Sequence, residues 1–225
     1  MTPIWRVGMW IAAAVLGCLV VVAAVWIFVI QDVETPEYTV DRSDGAFELR
    51  RYPPLVIAEV RKVGPRLWAI QHGFRPLARY IFASGREGER IAMTAPVTQT
   101  PLEDALEIAG EGNGAAAAGA GMHGTWAVRF IMPSEHKLED LPVPAPGSDI
   151  RFHRQPAASR AAIRFPGVAT DAVLAEKEGE LRRWMRDQGL TPVGPPDYAF
   201  YNDPTTPGFL RRNEVIIEVA IGSSG

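Results

Sequence analysis

The chain is almost free of cysteine. Among its 225 residues the single cysteine is Cys18, which lies inside a long apolar run near the N-terminus. The rest of the chain therefore has neither a disulfide framework nor a thiolate metal site. This absence is compatible with an oxidising compartment, although it does not by itself establish one.

An excess of positive charge is also lacking. The chain has 23 Lys and Arg residues against 26 Asp and Glu residues, which gives a formal net charge of −3, so its composition does not favour a nucleic-acid partner. The G-x-S-x-G and H-E-x-x-H signatures of hydrolases are missing, and there is no phosphate-binding loop. We therefore expect a binding protein rather than an enzyme.

Charged side chains are absent from residues 7–30, VGMWIAAAVLGCLVVVAAVWIFVI, with Arg6 before the run and Asp32 and Glu34 after it. A helix of this length spans roughly 36 Å at about 1.5 Å per residue, enough to cross a hydrocarbon core of about 30 Å. The run predicts a transmembrane signal anchor, with residues 1–6 as a short tip. Because positive charge tends to stay in the cytoplasm, Arg6 places the following domain on the extracytoplasmic side, for example the periplasm.

Two other interpretations of this run remain open. A cleaved signal peptide has an apolar core of about 7–15 residues and a small-residue cleavage site, whereas this run is longer and ends in bulky residues. The stretch from Val15 to Cys18 has a faint similarity to a lipoprotein processing site. Cleavage there would leave another apolar segment attached, so an uncleaved anchor is the interpretation we adopt.

The rest of the chain alternates between two hydrophobic periods. Residues 31–37 are a polar spacer, and residues 38–221 form a domain whose halves, about 38–101 and 125–221, are joined by a Gly/Ala-rich loop at 102–124 that we expect to be mobile. Spacings of three and four predict helices at 66–83 and 171–188, the first with a kink or a late start because it contains Pro76. Alternation predicts strands at 38–40, 46–50, 55–60, 91–98, 126–132, 150–154, 158–165, 198–201 and 215–220.

The two halves have a similar order of elements, since each combines strands with one amphipathic helix. A half with so few strands cannot bury both faces of its own sheet, so joining the two sheets with one helix packed on each half is the economical solution. The sequence therefore predicts an α+β domain, a duplicated unit forming a curved, barrel-like antiparallel sheet with two flanking helices.

Several segments resemble the SOUL haem-binding protein family. The most specific is Ile-Ala-Met-Thr-Ala-Pro-Val at 91–97, and similarity extends over 38–60, 73–82, 162–167, 198–204 and 212–215. The resemblance implies a duplicated fold with an eight-stranded, distorted antiparallel β-barrel and two helices. It also implies that haem or another porphyrin binds in a hydrophobic cleft near the first helix.

One departure from the family concerns the iron ligand. Some relatives have a histidine, thought to bind iron, at the position of Arg51, and an arginine cannot take that role. The Gly/Ala-rich loop is a second departure and leaves the connection between the halves uncertain.

Haem needs an apolar slot, cations for its two carboxylates and, in many proteins, one axial ligand. The first helix offers all three types, although each residue also fits an ordinary amphipathic helix. The candidates for the apolar slot are Trp68, Phe74, Leu77 and Ile81. Arg75 and Arg79 are the candidates for pairing with the haem carboxylates, and His72 is the candidate iron ligand. Met93 is a further candidate contact.

Other possible iron ligands have less support. No histidine has a second histidine or a cysteine at a neighbouring helical or strand spacing, as a zinc site would favour. These weaker candidates are His123, His136, His153, Tyr52 and Tyr80.

An alternative function rests on Glu218. This glutamate interrupts the apolar last strand and shares a face with Ile216 and Ala220, so it either points into an apolar interior or lies in solvent near the strand end. A buried carboxylate would bind a cationic ligand or act as a general base. The sequence thus favours a membrane-anchored tetrapyrrole buffer or carrier, with a binding module for another amphipathic molecule, or a hydrolase, as alternatives.

Overall fold

The computed structural model describes residues 10, 11, 13–15, 17 and 18, together with 33–102 and 122–220. The chain divides into two compact units, Met1–Val33 and Glu34–Gly225. In the first unit the described residues between 10 and 18 are helical, while the predicted tip at 1–6 and most of the predicted anchor at 7–30 lie outside the described residues. Across the described ranges, no helix has the length and apolar character needed to cross a membrane.

The second unit is an α+β fold built on one large antiparallel sheet. Its helices are α1 (Arg66–Ile81) and α2 (Asp171–Asp187), and short 3₁₀ turns lie at Leu138–Asp140 and Gly208–Leu210. Its strands are β1 (Thr39–Asp44), β2 (Phe47–Tyr52), β3 (Leu55–Pro65), β4 (Val97–Pro101), β5 (His123–Ile131), β6 (Arg151–Gln155), β7 (Ala158–Phe165), β8 (Pro192–Phe200) and β9 (Asn213–Val219).

The sheet is open, so the predicted closed barrel is wrong. The nine strands follow the order β1-β2-β7-β9-β8-β4-β5-β3-β6, which leaves β1 and β6 as the two edges. A barrel requires its first and last strands to pair. All six residues of β1 are exposed, so this edge has no apolar face whose burial would favour closure.

The two sequence halves exchange strands within this sheet. The β1–β2 hairpin of the first half pairs with β7 of the second, and β3 of the first half pairs with both β5 and β6. The two helices pack on the same face: α1 contacts β3 and β5, and α2 contacts β7, β8 and β9. Buried apolar side chains form one cluster under each helix, and the opposite face of the sheet has a small apolar cluster, Ala162, Ala199 and Ile216, among charged residues.

Helix α1 runs without interruption through Pro76, so the predicted late start near Gly73 is wrong. Pro76 has no N–H to donate to the carbonyl of His72, but the buried stripe that includes Ala69, Leu77 and Tyr80 secures the helix against the sheet. Gly73 lies where α1 comes closest to β5, because a Cβ there would approach Val128 Cγ2 to 2.6 Å.

The predicted strand at 91–98 is much shorter in the structure, since β4 begins only at Val97. The residues before it are held in other ways: Ile91 N–H bonds to the carbonyl of Ile81 at 2.8 Å, and Thr94 makes an isolated bridge with Glu34. The Ala95–Pro96 peptide bond is cis. Alternating apolar residues therefore reflect burial here, not sheet pairing.

Helix α2 begins as the sequence predicts, with Thr170 Oγ1 accepting a hydrogen bond from Val173 N–H at 3.3 Å. The starts of the two helices are joined through buried Arg66, which donates to Asp171 and, at 2.9 Å, to the carbonyl of Ala169. Arg66 thus connects the two halves on the helix side of the sheet. Residues 103–121 of the predicted loop lie outside the described residues.

Candidate functional site

One stripe of helix α1 faces away from the sheet and combines an aromatic ring, an imidazole and two cations. Trp68, His72, Arg75 and Arg79 follow one another at spacings of four, three and four, which places them on one side of a helix. Trp68 is 43 % exposed. The Arg75 and Arg79 guanidinium groups make no hydrogen bond or ion pair within the described ranges, so both are available to a ligand.

His72 is held in one orientation by its own helix. Its ring stacks on Trp68 with centroids 4.0 Å apart, and its Nδ1 lies 2.9 Å from the Trp68 carbonyl oxygen. Because a carbonyl only accepts, Nδ1 carries the proton, and a neutral ring then has its lone pair on Nε2. Metal-binding histidines commonly use such a bond from the other ring nitrogen to fix the ligating one. The geometry therefore suits His72 as an axial ligand through Nε2.

A pocket of about 260 Å³ adjoins the C-terminal part of this stripe. Pro76, Arg79 and Tyr80 form the helix side, and residues 144–150 form the other side. Tyr80 fixes the facing loop by donating its hydroxyl proton to the Pro142 carbonyl at 2.8 Å. The volume lies at the lower end of small-molecule pockets, so a porphyrin would cover this pocket and the stripe rather than be enclosed.

The other predicted slot residues lie elsewhere on α1 or beneath it. Leu77 and Ile81 are fully buried in the cluster between α1 and the sheet, and partly buried Met93 packs against the same cluster. Phe74 is on the surface at another side of the helix, with its ring 5.3 Å from that of Phe130. In this structure Leu77, Ile81 and Met93 are packing residues, and only a rearranged helix would bring them to a ligand.

The weaker ligand candidates are dispersed. His123 begins β5 and is exposed, contrary to its predicted place in the loop, and His136 lies 3.6 Å from Glu135. His153 lies on edge strand β6, where burial lowers the pKa of its imidazole. Arg51 is exposed and pairs with Asp41 at 2.8 Å.

The two tyrosines are buried. Tyr52 lies beneath Arg50 on the polar face of the sheet, and Tyr80 lies between α1 and the loop that faces it. Burial raises the pKa of both phenols, so neither is close to forming the phenolate that binds iron.

A second feature, which sequence reasoning missed, is a charged cluster on the sheet face away from the helices. Its centre is a bidentate ion pair between Arg50 on β2 and Glu214 on β9, with N–O distances of 2.6 and 3.0 Å. Both side chains are essentially inaccessible, at 1 % and 0 % exposure. Glu214 also accepts hydrogen bonds from Arg212 at 2.7 Å and from the Tyr201 hydroxyl at 2.8 Å.

The partners of Glu214 determine its charge. Burial alone would raise the pKa of this carboxyl group, but the hydrogen bonds and positive charges of Arg50 and Arg212 outweigh burial and hold the pKa below its usual value. Glu214 is therefore ionised at neutral pH. The pKa of Tyr201 is raised by burial and by the charge of Glu214, so its phenol keeps its proton.

The cluster continues across the sheet through Arg129 on β5. Arg129 donates to Glu59 at 2.7 Å, to Thr100 at 2.6 Å and to Asp197 at 3.2 Å. Burial opposes ionisation of Glu59, but Arg129 and Arg61 together lower its pKa. The polar face is thus an internally paired network.

Glu218 does not have the environment that an apolar interior would give it. Its side chain is 43 % exposed and lies 3.6 Å from Arg160. Of the two alternatives that the sequence left open for Glu218, the structure shows the one in which the side chain is in contact with solvent. The buried carboxylate of β9 is that of Glu214, which lies four residues earlier on the same face. The alternation of side chains along a strand puts residues 214, 216 and 218 on one side, so the sequence pattern already placed Glu214 on the same face as Glu218.

Comparison with protein families gives a match over most of the chain. A family model described as SOUL heme-binding protein matches residues 33–218. No curated protein matches the chain.

Comparison with solved structures gives matches to the fold. The C-terminal domain of EcmrR has a TM-score of 0.54 at 11 % identity, covering 81 % of this chain and 98 % of that domain. An uncharacterised conserved protein from Listeria innocua has a TM-score of 0.55 at 12 % identity, with 77 % and 92 % coverage, and a hydrolase from the same organism has 0.52 at 11 %, with 80 % and 94 %. At these identities the likeness concerns the fold alone.

Proposed function

The chain belongs to the SOUL heme-binding protein family, and from this premise we propose that it binds haem or a related tetrapyrrole on the outward stripe of α1. The observation that supports this site is the alignment of Trp68, His72, Arg75 and Arg79 beside the 260 Å³ pocket. The protein would act as a non-enzymatic buffer or carrier.

The residues of the stripe match the chemical parts of the ligand. His72 offers Nε2 for iron, and Trp68, stacked on the His72 ring and 43 % exposed, offers an apolar ring edge beside it for the macrocycle. Arg75 and Arg79 lie about 4.5 and 10.5 Å further along the helix axis, at 1.5 Å per residue. Both guanidinium groups can therefore pair with carboxylates on one edge of a porphyrin whose iron is near His72.

A haemin titration tests the binding itself. We expect the full chain, purified in detergent, to give a saturable shift of the Soret band at micromolar haemin, beyond the shift that empty micelles give. Substituting His72→Ala removes the axial nitrogen, so we expect the band position to change and the affinity to fall at least about tenfold.

Two further variants separate ligation from other effects. The double change Arg75→Gln and Arg79→Gln is expected to weaken binding by about tenfold without moving the band, because it removes only charge pairing. His136→Ala, a histidine away from α1, is the matched control and should change neither quantity. The absence of any saturable shift in the unaltered chain would contradict the proposed function, whereas an unchanged band in His72→Ala would contradict only the role of His72.

We also propose that residues 7–30 anchor the protein as a single-pass membrane protein with its domain outside the cytoplasm. The uncharged run and Arg6 support this proposal. The full chain is expected to remain in the membrane fraction after a carbonate wash, and a reporter fused to the C-terminus should be active only outside the cytoplasm. Recovery of the intact chain in the wash would contradict the anchor.

A further inference from the structure

A row of charged residues crosses three strands on the polar face of the sheet. Arg160 on β7 is the register partner of Arg50 on β2 and of Glu218 on β9. Its guanidinium also lies over the Tyr52 ring, 5.5 Å from the centroid. Arg160 therefore occupies the middle of this face, on the side of the sheet away from α1 and the proposed haem site.

Arg160 is buried without the hydrogen bonds that buried arginines normally make. It is 7 % exposed, and its Nε atom has no hydrogen-bond partner among residues 33–102 and 122–220. The nearest carboxylate oxygens are at 3.6 Å on Glu218 and 3.8 Å on Asp197. Both exceed the 2.7–3.2 Å of a normal N–H···O bond.

Two of the groups around Arg160 are already committed to other partners, whereas Glu218 is half-exposed and has no other partner among the described residues. Arg50 is paired with Glu48 and Glu214, and the inner acid Asp197 accepts from Thr100 and Arg129. A buried charged donor left without a partner loses the hydrogen bonds that water would give it in the unfolded chain. Arg160 is therefore the member of this network that lacks hydrogen bonds. An acceptor from outside the protein would make the hydrogen bonds that the folded chain does not supply.

We propose that Arg160 is the recognition residue of a second ligand site, which takes the planar carboxylate of a small organic acid. Nε–H and one Nη2–H form the flat edge of the guanidinium that accepts a carboxylate in bidentate fashion. Glu218 is the present counter-ion on the Nη2 side, but its carboxylate lies too far away for a hydrogen bond and is 43 % exposed. A ligand carboxylate displaces Glu218 into solvent and takes its place at bonding distance.

The proposal predicts opposite effects on acetate affinity for substitutions of Arg160 and Glu218. Acetate is the probe, titrated into the full chain in detergent at constant ionic strength against chloride, with the Arg160 Nε–H resonance as the readout. We expect a saturable shift at millimolar acetate. Substituting Arg160→Gln should abolish saturable binding, and Glu218→Gln should tighten it about threefold to tenfold, since the competing carboxylate is gone.

Arg164→Gln is the matched control, because Arg164 lies on the same strand and face but is exposed. Its acetate affinity is expected to equal that of the unaltered chain. Weaker acetate binding by Glu218→Gln, or a response to phosphate without one to acetate, would overturn the proposal. The Glu218 variant keeps the test decisive if Arg160→Gln fails to fold, and the haemin titration is a separate experiment whose outcome does not affect it.

Discussion

Substituting Glu214→Gln is expected to lower the free energy of unfolding by about 3–5 kcal/mol, the usual loss when one partner of a buried ion pair is removed. The change leaves Arg50 charged at 1 % exposure, with Glu48 as its one remaining carboxylate partner among the described residues. It also turns one of the two carboxylate oxygens, which accept from Arg212 and Tyr201, into an NH2 donor. Denaturant unfolding of the full chain, followed by tryptophan fluorescence, measures the loss.

Glu218→Gln is the control for this effect, since it makes the same chemical change on the same strand and face. Glu218 is half-exposed and its ion pair is 3.6 Å long, so we expect a loss below about 1 kcal/mol. The double change of Arg50→Met with Glu214→Leu should recover much of the stability, because apolar residues of similar size replace buried pairs well. Equal losses from the two glutamine variants would show that burial of Glu214 does not matter.

The same pair predicts how stability depends on pH. The pKa of Glu214 is lower in the folded chain than its ordinary value, so its stabilisation is fully present above the unfolded-state pKa of about 4.3 and is lost as pH falls through the folded-state pKa. Glutamine does not titrate. The stability difference between the unaltered chain and Glu214→Gln is therefore expected to be largest near neutral pH and to shrink in acid, while Glu59 titrates in both and cancels.

The elements of this fold were largely predictable because each depends on local pattern. The periods of α1 and α2, the Thr170 cap and most strands follow from residues within a few positions of one another. The order of the strands does not: β4 lies between β8 and β5, and β2 lies beside β7. Sequence alternation says that a strand has an apolar face but not which strand will pair with it, so neither the exchange of strands between halves nor the open edges were foreseen.

The stripe on α1 and the charged cluster on the sheet differ in the same way. The stripe on α1 follows from spacings of three and four within a single helix, so Trp68, His72, Arg75 and Arg79 could be named from the sequence. The partners Arg50 and Glu214 are 164 residues apart, and their contact exists only because β7 brings β2 and β9 together. Alternation groups 214, 216 and 218 on one face of β9, but the burial of Glu214 depends on a distant arginine that no local pattern reveals.

Gly73→Ala is expected to destabilise the protein by about 1–2 kcal/mol, even though alanine is the better helix former by about 1 kcal/mol. A helix start near Gly73 was one of two alternatives that the sequence left open, whereas the structure shows Gly73 buried in the middle of α1. An added Cβ would lie 2.6 Å from Val128 Cγ2 and 2.7 Å from its Cβ, and a β-branched side chain has little freedom to move away. Thermal unfolding of the full chain measures the change.

Gly179→Ala in α2 is the matched control because it makes the same change inside the other helix. The atom nearest to an added Cβ there is Arg183 Nη1 at 3.5 Å, the far end of a flexible exposed side chain. Without a close contact only the propensity gain remains, so we expect an increase in stability of up to about 1 kcal/mol. The two alanines should therefore act in opposite directions. A stabilising Gly73→Ala would mean that α1 does not approach β5 this closely, and the orientation of the His72 stripe derived from that packing would have to be revised.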